Sequence, residues 1–118
     1  MSSRVVVSPH TWLATLDESV NFTYTSSYGD QIHPVGLGAN PEDATVKLIV
    51  QIACYFQGDL KSMLGDLATE TNIRAAIEDA ERCAKSFDRT LKTASYKTQA
   101  EELAADHRRA AEMLRALL

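Results

Sequence analysis

Residues 46–64, Val46-Lys-Leu-Ile-Val-Gln-Ile-Ala-Cys-Tyr-Phe-Gln-Gly-Asp-Leu-Lys-Ser-Met-Leu64 (VKLIVQIACYFQGDLKSML), decide how this chain folds. On a helical wheel of about 100° per residue, Ile49, Ile52, Phe56 and Leu60 share one face. Leu48 and Tyr55 flank that face on one side, Val50 and Cys54 on the other, and only Lys47, Gln51 and Gly58 hold the back. A helix apolar over so much of its circumference needs more cover than two neighbouring helices give. Two readings stay open. Either the N-terminal segment covers both flanks, or one flank stays open for a partner, as contiguous exposed apolar surface usually does.

Upstream, Asn40-Pro41-Glu42-Asp43 is a helix start: Asn40 caps, Pro41 takes the first helical position, and Asp43 stands where a capping-box acid reaches back. Gly65 is the stop, and Gly58 is expected inside the helix at a cost of about 1 kcal/mol against Ala. A second helix begins near Asn72 with the stripe Ile73, Ala76/Ile77, Ala80, Cys83/Ala84, Phe87, Leu91 and Ala94. Its outer face is expected to carry the pairs Glu78–Arg82, Glu81–Lys85 and Asp88–Lys92. The apolar phase restarts at Ala100, Leu103/Ala104, His107, Ala110/Ala111, Leu114 and Leu117/Leu118, with Thr98 and Glu101 as a second capping box. A turn near Ser95–Lys97 into a third helix fits this phase change, and one long bent helix is the alternative. Short connections make consecutive helices antiparallel. The expected fold is therefore mainly α: a three-helix antiparallel bundle (41–118) with an irregular N-terminal arm (1–40), in one domain.

All three prolines lie in the first 41 residues. Arg4-Val-Val-Val7 reads as a short strand. Ser8-Pro9 suggests a cap and first helical position, so a short helix over 9–19 is expected, burying Trp12, Leu13 and Leu16. Val20, Phe22 and Tyr24 alternate with Asn21, Thr23 and Thr25, which favours a strand or extended arm. Gly29–Asn40, with three Gly and one Pro, reads as a loop.

The net charge of −4 and pI near 5.3 argue against direct nucleic-acid binding, which needs a basic face. No apolar run approaches the roughly 20 residues that span a bilayer, and no secretory leader is evident, so a cytoplasmic protein is expected. Two cysteines do not make a disulfide framework, and they are expected as free thiols. No histidines stand at metal-ligand spacing, and no nucleophile motif is present, so no catalytic residue, metal or cofactor is expected. Gly36-Leu-Gly-Ala-Asn40 lacks the spacing of a phosphate loop. His107-Arg-Arg109 turns only its arginines outward, which makes a solvated face and not a recognition helix.

Length, acidic balance, the aromatic N-terminal arm and the helical run from VKLIVQIACYFQGDLKSML to AAEMLRALL together resemble the QslA family, small quorum-sensing anti-activators of pseudomonads. The resemblance covers the chain end to end and carries no diagnostic motif. It implies a non-enzymatic protein that binds the ligand-binding domain of a LuxR-type transcription regulator (LasR-like) at its dimerisation surface and so blocks DNA binding. The wheel gives the expected partner-binding residues as Leu48, Val50 and Tyr55, with Phe22 and Tyr24 on the arm. Surplus apolar surface also leads us to expect a homodimer. A toxin-neutralising immunity protein is the alternative, and a small enzyme a more remote one.

Overall fold

The structure, a computed structural model, describes residues 5–8, 13–16, 24–25, 31–56, 58–90 and 97–118. These residues are mainly helical, with a small amount of sheet. Strands β1 (Val5–Ser8), β2 (Leu13–Leu16) and β5 (Val35–Leu37) form an antiparallel sheet in the order β1-β2-β5. Strands β3 (Tyr24–Thr25) and β4 (Gln31–Ile32) pair separately, with Tyr24 opposite Ile32. Helices α1 (Pro41–Tyr55), α2 (Leu60–Leu64), α3 (Glu70–Thr90) and α4 (Lys97–Arg115) follow, with a 3-10 turn at Gly65–Leu67. Among the described residues no helix is long and apolar enough to cross a membrane.

The Asn40 cap and Pro41 in the first turn of α1 are as the sequence predicts, while Asp43 reaches back one residue past the cap. Asn40 Oδ1 accepts from the Asp43 N–H at 2.7 Å, and Asp43 Oδ2 accepts from the Ala39 N–H at 3.0 Å. The end of α1 is not as predicted. The expected helix to Leu64 breaks after Tyr55: Phe56 turns extended (φ −77°, ψ 130°) and Gly58 takes φ 148°, a backbone open in practice only to glycine. Asp59 then caps a new helix, its Oδ2 accepting from Ser62 Oγ at 2.7 Å. Gly65, at φ 54°, ends it as expected. Gly58 is therefore the breaker, not a tolerated helix interior.

The break turns the second half of the expected helix into a crossover. Glu42, Asp43 and Val46 lie beside Thr71, Asn72 and Ala75, and farther on Lys47, Val50 and Gln51 lie near Asp79 and Cys83. Helices α1 and α3 thus run in the same sense, and the antiparallel relation expected of them does not hold. It does hold for α3 and α4. Arg108 pairs with Asp88, while Arg115, farther along α4, pairs with Glu81, earlier on α3. These acids were expected to serve pairs within their own helix. Burial of the facing stripes instead brings the arginines of α4 across to them. α3 begins at Glu70, with Thr69 Oγ1 accepting from the Asn72 N–H at 3.2 Å. α4 begins at Lys97, so Thr98 lies within its first turn. Leu91 and Ala94 lie outside the described residues.

The apolar surplus of α1 meets the protein's own chain. α1 contacts β5, β2 and β1 on one side and α3 and α4 on the other. Leu48, Ile49 and Ile52 are wholly buried, each contributing about 2 kcal/mol or more by transfer from water. Two N-terminal expectations are corrected. Leu13–Leu16 is a strand and not part of a helix, because it pairs on both edges, with β1 and with β5. Val35–Leu37 is a strand and not a loop. Its glycine is there for approach: a methyl group on Gly36 would overlap the Ala44 carbonyl oxygen and the Leu48 nitrogen, both backbone atoms of α1.

Candidate functional site

Because Gly36 faces α1, period-two alternation turns Val35 and Leu37 the other way. They are 41% and 61% exposed, and apart from Leu118 at the chain end they are the large apolar side chains most open to solvent among the described residues. Among the described residues β5 is an edge strand, with β2 as its one ladder partner. A cleft of about 260 Å³ opens beside it, lined by Val35, Leu37, Lys47, Gln51, Cys83 and His107 among others.

Behind the strand lies a polar cluster. Asp79, only 4% exposed, accepts from Lys47 Nζ at 2.6 Å and lies 3.4 Å from Arg82 Nη1. The Asp79 hydrogen bond, outweighing partial burial, raises the pKa of the Lys47 ammonium above its ordinary value. Cys83 Sγ donates to Asp79 Oδ2 at 3.9 Å, and burial, followed by the nearby carboxylate, pushes its thiol up. Cys54 is pushed up to about 12 by burial and then by Asp106. His107 is buried, with Nδ1 2.7 Å from the Leu103 carbonyl oxygen and its ring 5.3 Å from that of Phe87. Arg109 donates to the Cys54 carbonyl at 2.9 Å and so supplies the cation that the last turn of α1 lacks.

This arrangement holds helices together. Two thiols kept protonated are poor nucleophiles. Among the described residues no three His, Cys, Asp or Glu side chains are placed to hold a metal ion.

The residues expected at a partner surface scatter. Leu48 is 0% and Val50 2% exposed, so neither offers its side chain to a partner; the sheet and helices already cover them. Tyr55 is half-buried against the core. Tyr24 belongs to β3, and Phe22 lies outside the described residues. Sequence reasoning missed Val35 and Leu37. Their signal was present as Val35-Gly-Leu-Gly38, an alternation of apolar and glycine that the turn-forming character of glycine obscured. Comparison with protein-family models, with curated proteins and with solved structures returns no match to this chain.

Proposed function

We propose that this chain is a protein-binding module that acts by covering another protein's surface, without catalysis or a cofactor. The observation that carries the reading is the exposure of Val35 and Leu37 on edge strand β5. An edge strand offers main-chain hydrogen bonds, and its outward side chains offer apolar anchors, which is the pairing used in strand-addition recognition. The three long helices act in this reading as one bundle that presents β5, and the Asp79 cluster keeps it stiff.

The end-to-end resemblance to quorum-sensing anti-activators supplies the partner. It is the ligand-binding domain of a LuxR-type regulator in the cytoplasm, whose dimerisation surface the chain occludes. A LuxR-type regulator needs two subunits to grip two half-sites, so masking the dimer surface suffices to silence it. The net charge of −4 fits a protein that acts on the regulator and not on its DNA. The free chain is a homodimer in this account, its apolar strands covered until the regulator displaces the second copy.

The test is a gel-shift titration with a purified LuxR-type regulator and its operator, followed by sizing of the mixture. Added chain should release DNA and yield a complex holding one regulator subunit per ligand-binding surface. Retention of DNA at saturating chain refutes the assignment. Co-purification of a toxin in place of a regulator would move the reading to an immunity protein.

A further inference from the structure

We infer that the cleft beside β5 is a pocket for a phenol, and that the protein docking on β5 fills it with a tyrosine side chain. The source of the phenol rests on the proposed function, whereas the pocket stands on the residues that line it. Those residues come from four elements: Val35 and Leu37 from β5, Lys47 and Val50 from α1, Cys83 from α3 and His107 from α4. At about 260 Å³ the cleft is smaller than the roughly 300–1,000 Å³ of a drug-sized site, so it takes one side chain.

His107 gives the cleft its specific polar contact. The residue is 6% exposed, and its ring is held from two sides. Nδ1 stands 2.7 Å from the Leu103 carbonyl oxygen, which can only accept, so Nδ1 carries the ring proton. Phe87 packs against the ring at 5.3 Å between centroids. The neutral ring then keeps its lone pair on Nε2, an acceptor with no partner among the described residues. Among those residues no fully buried side-chain nitrogen or oxygen lacks a partner, so Nε2 reaches the open surface that His107 turns to the cleft. A ligand that donates a hydrogen bond there completes a residue otherwise shut away from water.

The rest of the lining selects the occupant. Lys47 and Asp79 stand at the cleft as an ion pair at 2.6 Å, and burial pushes the Cys83 thiol up, so it stays protonated. A charged tip would meet a charge of its own sign beside its partner, so an uncharged tip fits. The Lys47 ammonium has three donors, one engaged by Asp79, so the tip should accept as well as donate. A hydroxyl does both, whereas an indole N–H only donates. Val35, Leu37 and Val50 call for an apolar body behind the hydroxyl, which serine and threonine lack and tyrosine has. In strand addition the side chains of the added strand alternate between the two faces of the sheet, and those on the Gly36 face point toward the helices and this cleft.

The test uses p-cresol, which is the tyrosine side chain itself, and its methyl ether, which keeps the aryl body and loses the donor. Each is titrated into the chain in mildly alkaline buffer, read by the imidazole NMR signals of His107 and by alkylation of Cys83. p-Cresol should shift those signals, slow the alkylation and bind about tenfold more tightly than the ether. His107→Phe should erase the tenfold difference. If that variant does not fold, the two probes on the wild-type chain carry the measurement. Saturating p-cresol should also weaken a complex with a LuxR-type ligand-binding domain. The inference is overturned if p-cresol leaves the His107 signals unmoved, if the two probes bind alike, or if bound p-cresol leaves a regulator complex intact. A regulator that does not bind at all strikes the docking reading instead, and the two probes then decide the pocket without it.

Discussion

Gly36 has no room for a methyl group, because the atoms it would strike are backbone atoms of α1 and cannot rotate away. Gly36→Ala should therefore cost about 3 kcal/mol, and a denaturant melt should show it. Glycine was read as loop punctuation here, and that reading obscured the apolar alternation of Val35 and Leu37 around it. Gly58 was misjudged in the opposite direction, as a tolerated helix residue, because the helical stripe continues past it. Cys54 makes a second residue-level statement. Its thiol, ordinarily at 9.0, is pushed up to about 12, so the unfolded chain loses this proton first. Stability linked to it is present below pH 9 and is lost as pH rises toward 12. At pH 8 the native thiol has about a thousandfold less thiolate than an exposed one. Alkylation of native protein should therefore mark Cys83, which is half-buried, well before Cys54. Equal rates at the two thiols in native protein would contradict this burial.

Between elements, the Lys47–Asp79–Arg82 cluster ties α1 to α3, and its partners are not equivalent. The Asp79 carboxylate is 6% exposed, whereas the Lys47 side chain is 36% and Arg82 68% exposed. Lys47→Met leaves a buried carboxylate with one distant cation and should cost about 3 kcal/mol. Asp79→Asn frees two cations that already reach water and should cost about 1–2 kcal/mol. Urea melts of the two variants test the order, and a larger loss for Asp79→Asn would show that Lys47 is the poorly hydrated partner. Element boundaries follow how local their causes are. The Asn40-Pro41 cap, the Gly65 stop and the buried stripes of α3 and α4 were legible because they depend on neighbours three or four residues away. The ion pairs between α3 and α4 and β2 as a central strand were not. Each is decided by a contact distant in sequence: Asp88 with Arg108, Glu81 with Arg115, Leu13 with Leu37.

At the scale of the whole molecule, the apolar surplus of the first helix left two readings open, cover by the chain itself or a flank open to a partner, and Leu48 and Val50 are covered by the chain itself. The sheet supplies that cover over Leu48, and the exposed apolar side chains pass to the outer face of the strand that does the covering. A partner surface at Val35 and Leu37 gives a sharp separation between folding and binding. Leu37 is 61% exposed, so Leu37→Arg should leave the melting transition within about 0.5 kcal/mol of wild type. A charge buried at an interface costs several kcal/mol, so binding should weaken by about a hundredfold or more. On the proposed function, another protein docks on β5. The most direct test of this claim is calorimetric titration of wild type and Leu37→Arg into a LuxR-type ligand-binding domain, paired with a thermal melt of each. Unchanged melting with binding lost is the expected result, and unchanged melting with binding intact would contradict the claim.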